Sequence, residues 1–370
     1  MFSHPLRLGK ILGIELELDF TWFIILGLVA LSYALRLPQV LHGLPVAYYW
    51  LLGLLIALLL FVSVVFHELA HSVLAKRNGL DISGITLFLF GGVSKLTKEP
   101  NSATSELAIS VIGPAVSLLL AGIFFLGALL PLGAVVKTVL GILALINLLL
   151  ALFNLLPGLP LDGGRVLRAL VWQATGDFSQ ATRVASYSGQ GIGLLLILLG
   201  VIAFFSNAGL GGIWIAFIGW FMVQAAQSSY QQSVLRRMLS GVRVNSVMSS
   251  NVTTVPASTN LDELVHDYFL ALNYSAFPVV RDGEVVGVVT LADVRQVPRE
   301  KWPHTPVGEI LKPLRSQQVV TPQEDAWEAL SRMLADGDGR LLVMSDGHLE
   351  GIVSRTNIMR LIRNKMELGA

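Results

Sequence analysis

The sequence predicts a polytopic α-helical membrane protein of about six spans, with a small membrane-associated β-sheet and a soluble C-terminal α/β domain. Three observations predict it. The 370 residues are 54% hydrophobic and only 14% charged, far from a soluble globular average. Apolar runs long enough to cross a bilayer recur until about Tyr230. After Arg236 charges become frequent, and apolar runs shorten to strand and helix lengths. The expected domains are therefore a membrane domain at 1–230, a linker at 231–242 and a soluble domain at 243–370. The net charge of +1 gives no case for nucleic acid as a partner. Cysteine is absent, so thiolate metal sites are excluded and any metal must use His, Asp or Glu.

Residues 6–19 read as extended. Ile14 to Asp19 alternates apolar and polar side chains, as a half-buried strand does, and an amphipathic leader on the membrane surface would show the same pattern. Spans are expected at about 20–35, 46–70, 106–130, 135–156, 189–206 and 210–228. Six spans place both ends of the domain on one side. Arg7, Lys10, Lys76, Arg77, Lys95, Lys98, Arg165, Arg168, Arg183, Arg236 and Arg237 then share that side, with only Arg36 and Lys137 opposite. The positive-inside rule makes it cytoplasmic, so the N-terminus and the soluble domain are expected in the cytoplasm of a multi-pass cell-membrane protein.

The second run ends in His67-Glu68-Leu69-Ala70-His71. On a helix, positions i and i+4 lie one above the other on the same face. His67 and His71 can thus offer two imidazoles to one zinc ion, with Glu68 beside them as general base. Ionisable groups within a span are costly, which marks such a cluster as functional. Residues 82–97 do not read as a span. Ile82 to Phe90 is β-branched and aromatic, Gly91-Gly92 punctuates, and Val93 to Leu96 resumes, which predicts a hairpin. It is a candidate partner for the 11–19 strand, and its edge could accept an extended peptide or simply cap the site. In span three, Gly113-Pro114 and Ser117 read as helix-packing residues.

Span four ends in Asn154-Leu155-Leu156-Pro157-Gly158-Leu159-Pro160-Leu161-Asp162-Gly163-Gly164-Arg165. Pro157 breaks the helix, and irregular backbone at this depth must be buried in protein or line a wet cavity. Asp162 can supply the oxygen ligand that a two-histidine site still needs. It can equally cap a helix at 163–175, since Asp is a favoured N-cap.

Taken together, His67-Glu68-Leu69-Ala70-His71 and Asn154…Pro157…Pro160-Leu161-Asp162-Gly163-Gly164 resemble the signature of the site-2 protease family, intramembrane zinc metalloproteases. The resemblance covers about residues 1–230 and includes Phe90-Gly91-Gly92 and Gly113-Pro114. It implies that His67, His71 and Asp162 bind one Zn2+ and that Glu68 activates water. Asn154 is implied to bind substrate or stabilise the oxyanion. The implied substrate is a membrane-spanning protein segment already trimmed by another protease.

The tail repeats itself. Asp282-Gly283 recurs as Asp346-Gly347 and Gly287 as Gly351, while Pro256 matches Pro322 and Leu264 matches Leu330. Each unit reads as extended segment, amphipathic helix, strand, Asp-Gly turn, strand, helix, and the Asp-Gly turns are strong hairpin signals. This resembles a tandem CBS (cystathionine β-synthase) pair, with copies at about 243–300 and 305–365. The resemblance implies an adenine nucleotide (ATP, AMP or another adenosyl compound) as ligand and a homodimer. Thr290 and Asp293 match the family's phosphate and ribose contacts. Ser354 and Asn357 stand at the same places in the second copy, where Asn for Asp weakens ribose recognition. The reading is a zinc-dependent intramembrane endopeptidase modulated by its CBS pair. The rival readings are a CBS-regulated transporter or channel and a catalytically silent binding protein of the same fold.

Overall fold

The computed structural model describes residues 6–368 apart from 81, 89–90, 97–99 and 338, so Phe90 of the expected glycine turn lies outside the described residues. The chain divides into two compact units, 1–233 and 234–370.

The first unit opens with strands β1 (Leu6–Ile11) and β2 (Ile14–Leu18). Helices α1 (Thr21–Arg36) and α2 (Val46–Arg77) follow, then the hairpin β3 (Ile82–Phe88) and β4 (Gly91–Leu96). Five further helices complete it: α3 (Ala103–Leu129), α4 (Ala134–Asn154), α5 (Asp162–Thr175), α6 (Phe178–Ala203) and α7 (Leu210–Leu239). Among the described residues, five segments are long and apolar enough to cross a membrane: Thr21–Gln39, Val46–Arg77, Ala103–Leu129, Ala134–Asn154 and Phe178–Ser206. The sixth expected span forms α7, which is not one of the five. Its apolar part gives way at Gln224 to a run rich in Gln and Ser, and the helix continues to Leu239 through most of the expected linker.

The four strands form one sheet in the order β1-β2-β3-β4, so residues 6–18 are paired strands and not a free leader. β2 lies parallel to β3, with Leu16 opposite Ile85 and Leu18 opposite Leu87. Ile14, Leu16, Leu18, Ile85 and Leu87 share one face of the pleat. They pack on Trp22 of α1 and on Phe61 and Val64 of α2. The opposite face carries Glu15 and Glu17, which pair with Lys10 at 3.0 Å and Arg7 at 3.8 Å.

Helix contacts are made by small and polar side chains, as expected where lipid supplies no hydrophobic drive between helices. A Cβ on Gly53 would stand 2.9 Å from the backbone nitrogen of Ala34, so α1 and α2 approach closely. Asn147 Nδ2 of α4 donates to Ser63 Oγ of α2 at 3.1 Å, both buried. The turn from α4 to α5 folds onto α6, where the Leu159 amide donates to Ala185 O at 3.1 Å. Gly163 is forced by the return of α5 against the backbone leaving α4, since a Cβ there would lie 2.5 Å from Leu156 O.

The second unit holds the two repeats. In the first, β5 (Val255–Pro256), helical turns at Leu261–Leu270, β6 (Ala276–Arg281) and β7 (Glu284–Thr290) lead to a short helix at Leu291–Val294. A lead-in strand, β8 (Lys312–Pro313), precedes the second repeat. That repeat has β9 (Val319–Val320), helix Ala326–Asp336, β10 (Arg340–Ser345), β11 (His348–Ser354) and helix Arg355–Leu368. The lead-in of each repeat closes the sheet of the other. β8 pairs with β7, and Ser249 exchanges backbone bonds with Ile352 of β11. This crossing explains the recurring glycines. A Cβ on Gly287 would lie 2.5 Å from Lys312 O, and one on Gly351 would lie 2.8 Å from Met248 Sδ.

Candidate metal centre

Three side chains from two helices converge. His67 Nε2 and His71 Nε2 are 3.2 Å apart, and each is 3.1 Å from Asp162 Oδ2. Among the described residues, this is the one group of His and acid ligand atoms placed to share a metal ion. The histidines are one turn apart on α2, as helical geometry requires. Asp162 is the first residue of α5, and the preceding residue, Leu161, is the cap. The N-cap alternative for Asp162 therefore fails, and its carboxylate faces the imidazoles.

The other ring nitrogens fix the ring orientations. His71 Nδ1 donates to the carbonyl of Ile109 at 2.6 Å, and His67 Nδ1 lies 2.9 Å from Ser117 Oγ. Both partners belong to α3, and such secondary bonds orient metal-binding histidines. A backbone carbonyl can only accept, so the His71 proton sits on Nδ1 and Nε2 of the neutral ring presents a lone pair. That lone pair faces a carboxylate oxygen, which also only accepts when ionised. A cation between them reconciles the contact. Ligand atoms of a tetrahedral zinc with bonds of about 2.0–2.1 Å lie roughly 3.3 Å apart, close to the observed spacings, and the N, N, O donor set suits zinc.

Gly113 corrects the helix-packing reading of span three. A Cβ there would fall on His71 Nε2 and within 2.8 Å of His67 Nε2. The residue is glycine because imidazoles occupy the space where a side chain would stand. Pro114 follows inside the helix. Lacking an N–H, it leaves the Ser110 carbonyl without its helical donor. Ser117, also read as packing, is the partner of His67.

An ion pair absent from the sequence reading ties α3 to α5. Glu106 is fully buried, and Arg168 Nε donates to its Oε1 at 2.8 Å, with a second bond from the Arg168 Nη2. Arg168 also lies 4.8 Å above the Phe178 ring centroid. The pair holds the start of α5, and so Asp162, against the helix that orients both histidines. Its only sequence signal was an acid one turn into a span.

Glu68 and Asn154 line one cavity of about 580 Å³ with His67, His71, Asp162 and Arg165. Phe88, Gly91 and Gly92 of the hairpin close one side, and Trp214, Phe221 and Met222 of α7 close another. A Cβ on Gly92 would lie 2.8 Å from Glu68 Cδ, so β4 runs directly past that carboxylate. Asn154 Nδ2 donates to Leu150 O at 3.0 Å, which fixes the amide at the last turn of α4.

The model of Peptidase family M50 matches residues 55–134 and 131–200, and the CBS domain model matches 244–300 and 303–364. A Synechocystis sp. protein named as a zinc metalloprotease is 36% identical over 98% of this chain and 96% of its own. The chain belongs to peptidase family M50, the site-2 protease family. The protease is also 39% identical to Rip3 of Mycobacterium tuberculosis, over 96% of this chain and 92% of that protein. Among solved structures, the site-2 protease of Methanocaldococcus jannaschii is 30% identical, with a TM-score of 0.43 over 61% of this chain and 95% of its own. The protease is thus a multi-pass membrane metalloenzyme with a tandem CBS tail. Family membership decides for the metalloprotease over the transporter.

In the CBS unit the four expected ligand residues pair with each other in two equivalent places. Thr290 caps the 291–294 helix, donates through Oγ1 to Asp293 Oδ2 at 2.5 Å and accepts from the Asp293 amide. Lys312 Nζ lies 2.8 Å from Asp293 Oδ1. Burial pushes the Asp293 carboxyl up, but Lys312 and the Thr290 bonds together outweigh it and hold the carboxyl below its usual value. In the second copy, Ser354 Oγ donates to Asn357 Oδ1, and Asn357 Nδ2 donates to Ser249 Oγ at 3.0 Å.

Replacing Gly113 with Ala tests the centre. The added methyl displaces α3 from the imidazoles, so bound zinc per purified chain, read by mass spectrometry, falls by about 100-fold at limiting zinc while helical content is unchanged. Wild-type zinc affinity in this variant would contradict the packing described.

Proposed function

We propose that the protease is a zinc-dependent endopeptidase that cleaves membrane-spanning segments, with His67, His71 and Asp162 as zinc ligands and Glu68 as general base. The observation that carries the reading is the convergence of two imidazole nitrogens and a carboxylate, beside a second carboxylate, in one cavity of a helical membrane unit. Zinc held there supplies Lewis-acid polarisation of a peptide carbonyl and acidification of a water. Glu68 takes the proton from the attacking water and passes it to the leaving nitrogen. Asn154, anchored through its amide to Leu150, offers its remaining polar atoms to the substrate backbone.

A helical span hides its peptide bonds and must unwind to be cut. Its freed backbone groups need new partners in a medium without water. β4 is an edge strand of the sheet and passes Glu68, so an extended substrate pairing there meets both needs. The segment cut is one already trimmed by another protease, and the product is a released cytoplasmic fragment. The charge bias supports a cytoplasmic N-terminus and CBS unit.

The CBS pair binds an adenine nucleotide and couples it to cleavage. Thr290 and Asp293 form the stronger half, since Asp293 stays ionised at neutral pH and offers a carboxylate to a ribose diol. Ser354 and Asn357 form the weaker half. The pair also provides the surface for a homodimer.

Two experiments test this reading. In cells carrying the wild type or Glu68→Gln, single-span membrane proteins are compared by quantitative proteomics. Full-length or pre-trimmed spans accumulate only in the mutant, cytoplasmic fragments appear only in the wild type, and the rate falls by about 10²–10⁴-fold with zinc retained. Equal profiles with zinc bound in both proteins would count against proteolysis. For the tail, cleavage by the reconstituted protease changes across physiological ATP and AMP, and Asp293→Ala removes the response. A rate independent of both nucleotides would count against coupling.

A further inference from the structure

We propose that the β1–β2 hairpin is a lipid-docking element, an apolar overhang of the sheet whose tip, Leu12, lies in the interfacial layer of the bilayer. The register assigns the faces. Leu6 stands opposite Leu18, Gly9 opposite Leu16 and Ile11 opposite Ile14, while Arg7 and Lys10 stand opposite Glu17 and Glu15. Cross-strand partners share a face, so Leu6 and Ile11 continue the face on which Ile14, Leu16 and Leu18 are buried against α1 and α2. The helices stop short of β1. Leu6 is 55% exposed, Ile11 41% and Leu12 70%. The charged pairs point to the opposite side.

The turn itself supplies the second observation. Among the described residues, three two-residue hairpin turns have both central residues at positive φ. They are Leu12-Gly13 (53° and 77°), Asp282-Gly283 (53° and 85°) and Asp346-Gly347 (50° and 82°). Such turns favour Asn or Asp before Gly, because a short polar side chain tolerates the left-handed region and bonds locally. Both turns of the CBS unit follow that rule, and Asp282 and Asp346 are exposed. The turn of the membrane unit places a large aliphatic residue in the same strained backbone, exposed beyond the protein. Neither the backbone nor packing accounts for leucine there, and an apolar solvent does.

The occupant is lipid because the exposed face is continuous with lipid-facing surface. At the Leu6–Leu18 end the sheet packs on Trp22, in the first turn of α1, and the exposed Phe20, Phe23 and Ile24 carry the apolar surface outward, while the Leu12-Gly13 tip stands beside the last turn of α2, where a Cβ on Gly13 would lie 3.4 Å from Lys76 Nζ. α1 and α2 are both long and apolar enough to span. Depth is bounded by the backbone. β1 is an edge strand, and its unpaired N–H and C=O groups need hydration, so the hairpin lies in the headgroup layer with only its side chains reaching the acyl chains. Arg7 and Lys10 are already paired to glutamates, so docking is driven by apolar burial and not by anionic lipid.

The absence of cysteine makes the test direct, since any single Cys carries the only label. The full chain is reconstituted in phosphatidylcholine vesicles with the environment-sensitive dye NBD at Leu12→Cys, Ile11→Cys, Lys10→Cys or Asp282→Cys. At Leu12 and Ile11 the emission is blue-shifted, and quenching by aqueous iodide is about fivefold weaker than at Lys10 and Asp282. Lipids spin-labelled near the headgroup end of the chain quench these two sites more than lipids labelled at mid-chain. Adding phosphatidylglycerol or raising salt leaves the pattern unchanged. Iodide access at Leu12 equal to that at Asp282 would place the tip in water and overturn the proposal. Shielding from both iodide and spin-labelled lipid would overturn it in favour of a protein partner, and loss of shielding in high salt would overturn the apolar basis. These readouts do not depend on proteolytic activity.

Discussion

Two imidazole nitrogens and a carboxylate oxygen stand within 3.2 Å of one another, and the first unit is built around that constraint. The Ile109 carbonyl keeps the His71 proton on Nδ1, so its Nε2 and the ionised Asp162 oxygen are both acceptors and face one another. Such a cluster is unfavourable in a low-dielectric interior unless a cation occupies it. The surrounding helices must therefore hold the three groups together when no cation is bound. α3 does most of this. It bonds both Nδ1 atoms, gives up a side chain at Gly113 so that the rings can sit against its backbone, and anchors α5 through Glu106 and Arg168.

The Glu106–Arg168 pair illustrates a general cost. A buried ion pair seldom adds much stability relative to apolar residues of the same shape, because both charges lose their hydration. Breaking one partner is far worse. Its value here is positional, since it fixes the start of the helix that carries Asp162. The residues around Asp162 follow the same logic. Gly163 lets the α5 start press against the backbone leaving α4, and Gly158 and Leu159 are buried between α5 and α6. The middle of the irregular segment is thus buried in protein, and Pro160 and Leu161 line the cavity.

Much of this was legible in the sequence, and the rest was hidden for physical reasons. His67, Glu68 and His71 are readable because helical periodicity puts i and i+4 together. The Asp-Gly turns and the repeat are readable because hairpin chemistry is local. Asp162 could only be proposed, because its partners lie 91 and 95 residues away in sequence. Gly113 and Ser117 looked like packing residues because small side chains serve packing and close approach to a site alike. The parallel pairing of β2 with β3 crosses two spans, and no local pattern encodes it. The sixth expected span is the apolar start of α7, but the end of that helix was not legible, because its Gln-rich continuation is also helical. Gly287 and Gly351 were visible as repeat markers, but their cause, the lead-in of each repeat crossing to the other, is a tertiary fact.

The central claim is that His67, His71 and Asp162 together hold one zinc ion. X-ray absorption at the zinc edge of the purified full-length protein tests it most directly. The account predicts one zinc per chain in a shell of nitrogen and oxygen only, with two imidazoles, and loss of one imidazole contribution in His71→Ala. A shell with fewer than two imidazoles in the wild type, or a spectrum unchanged by His71→Ala, would contradict it.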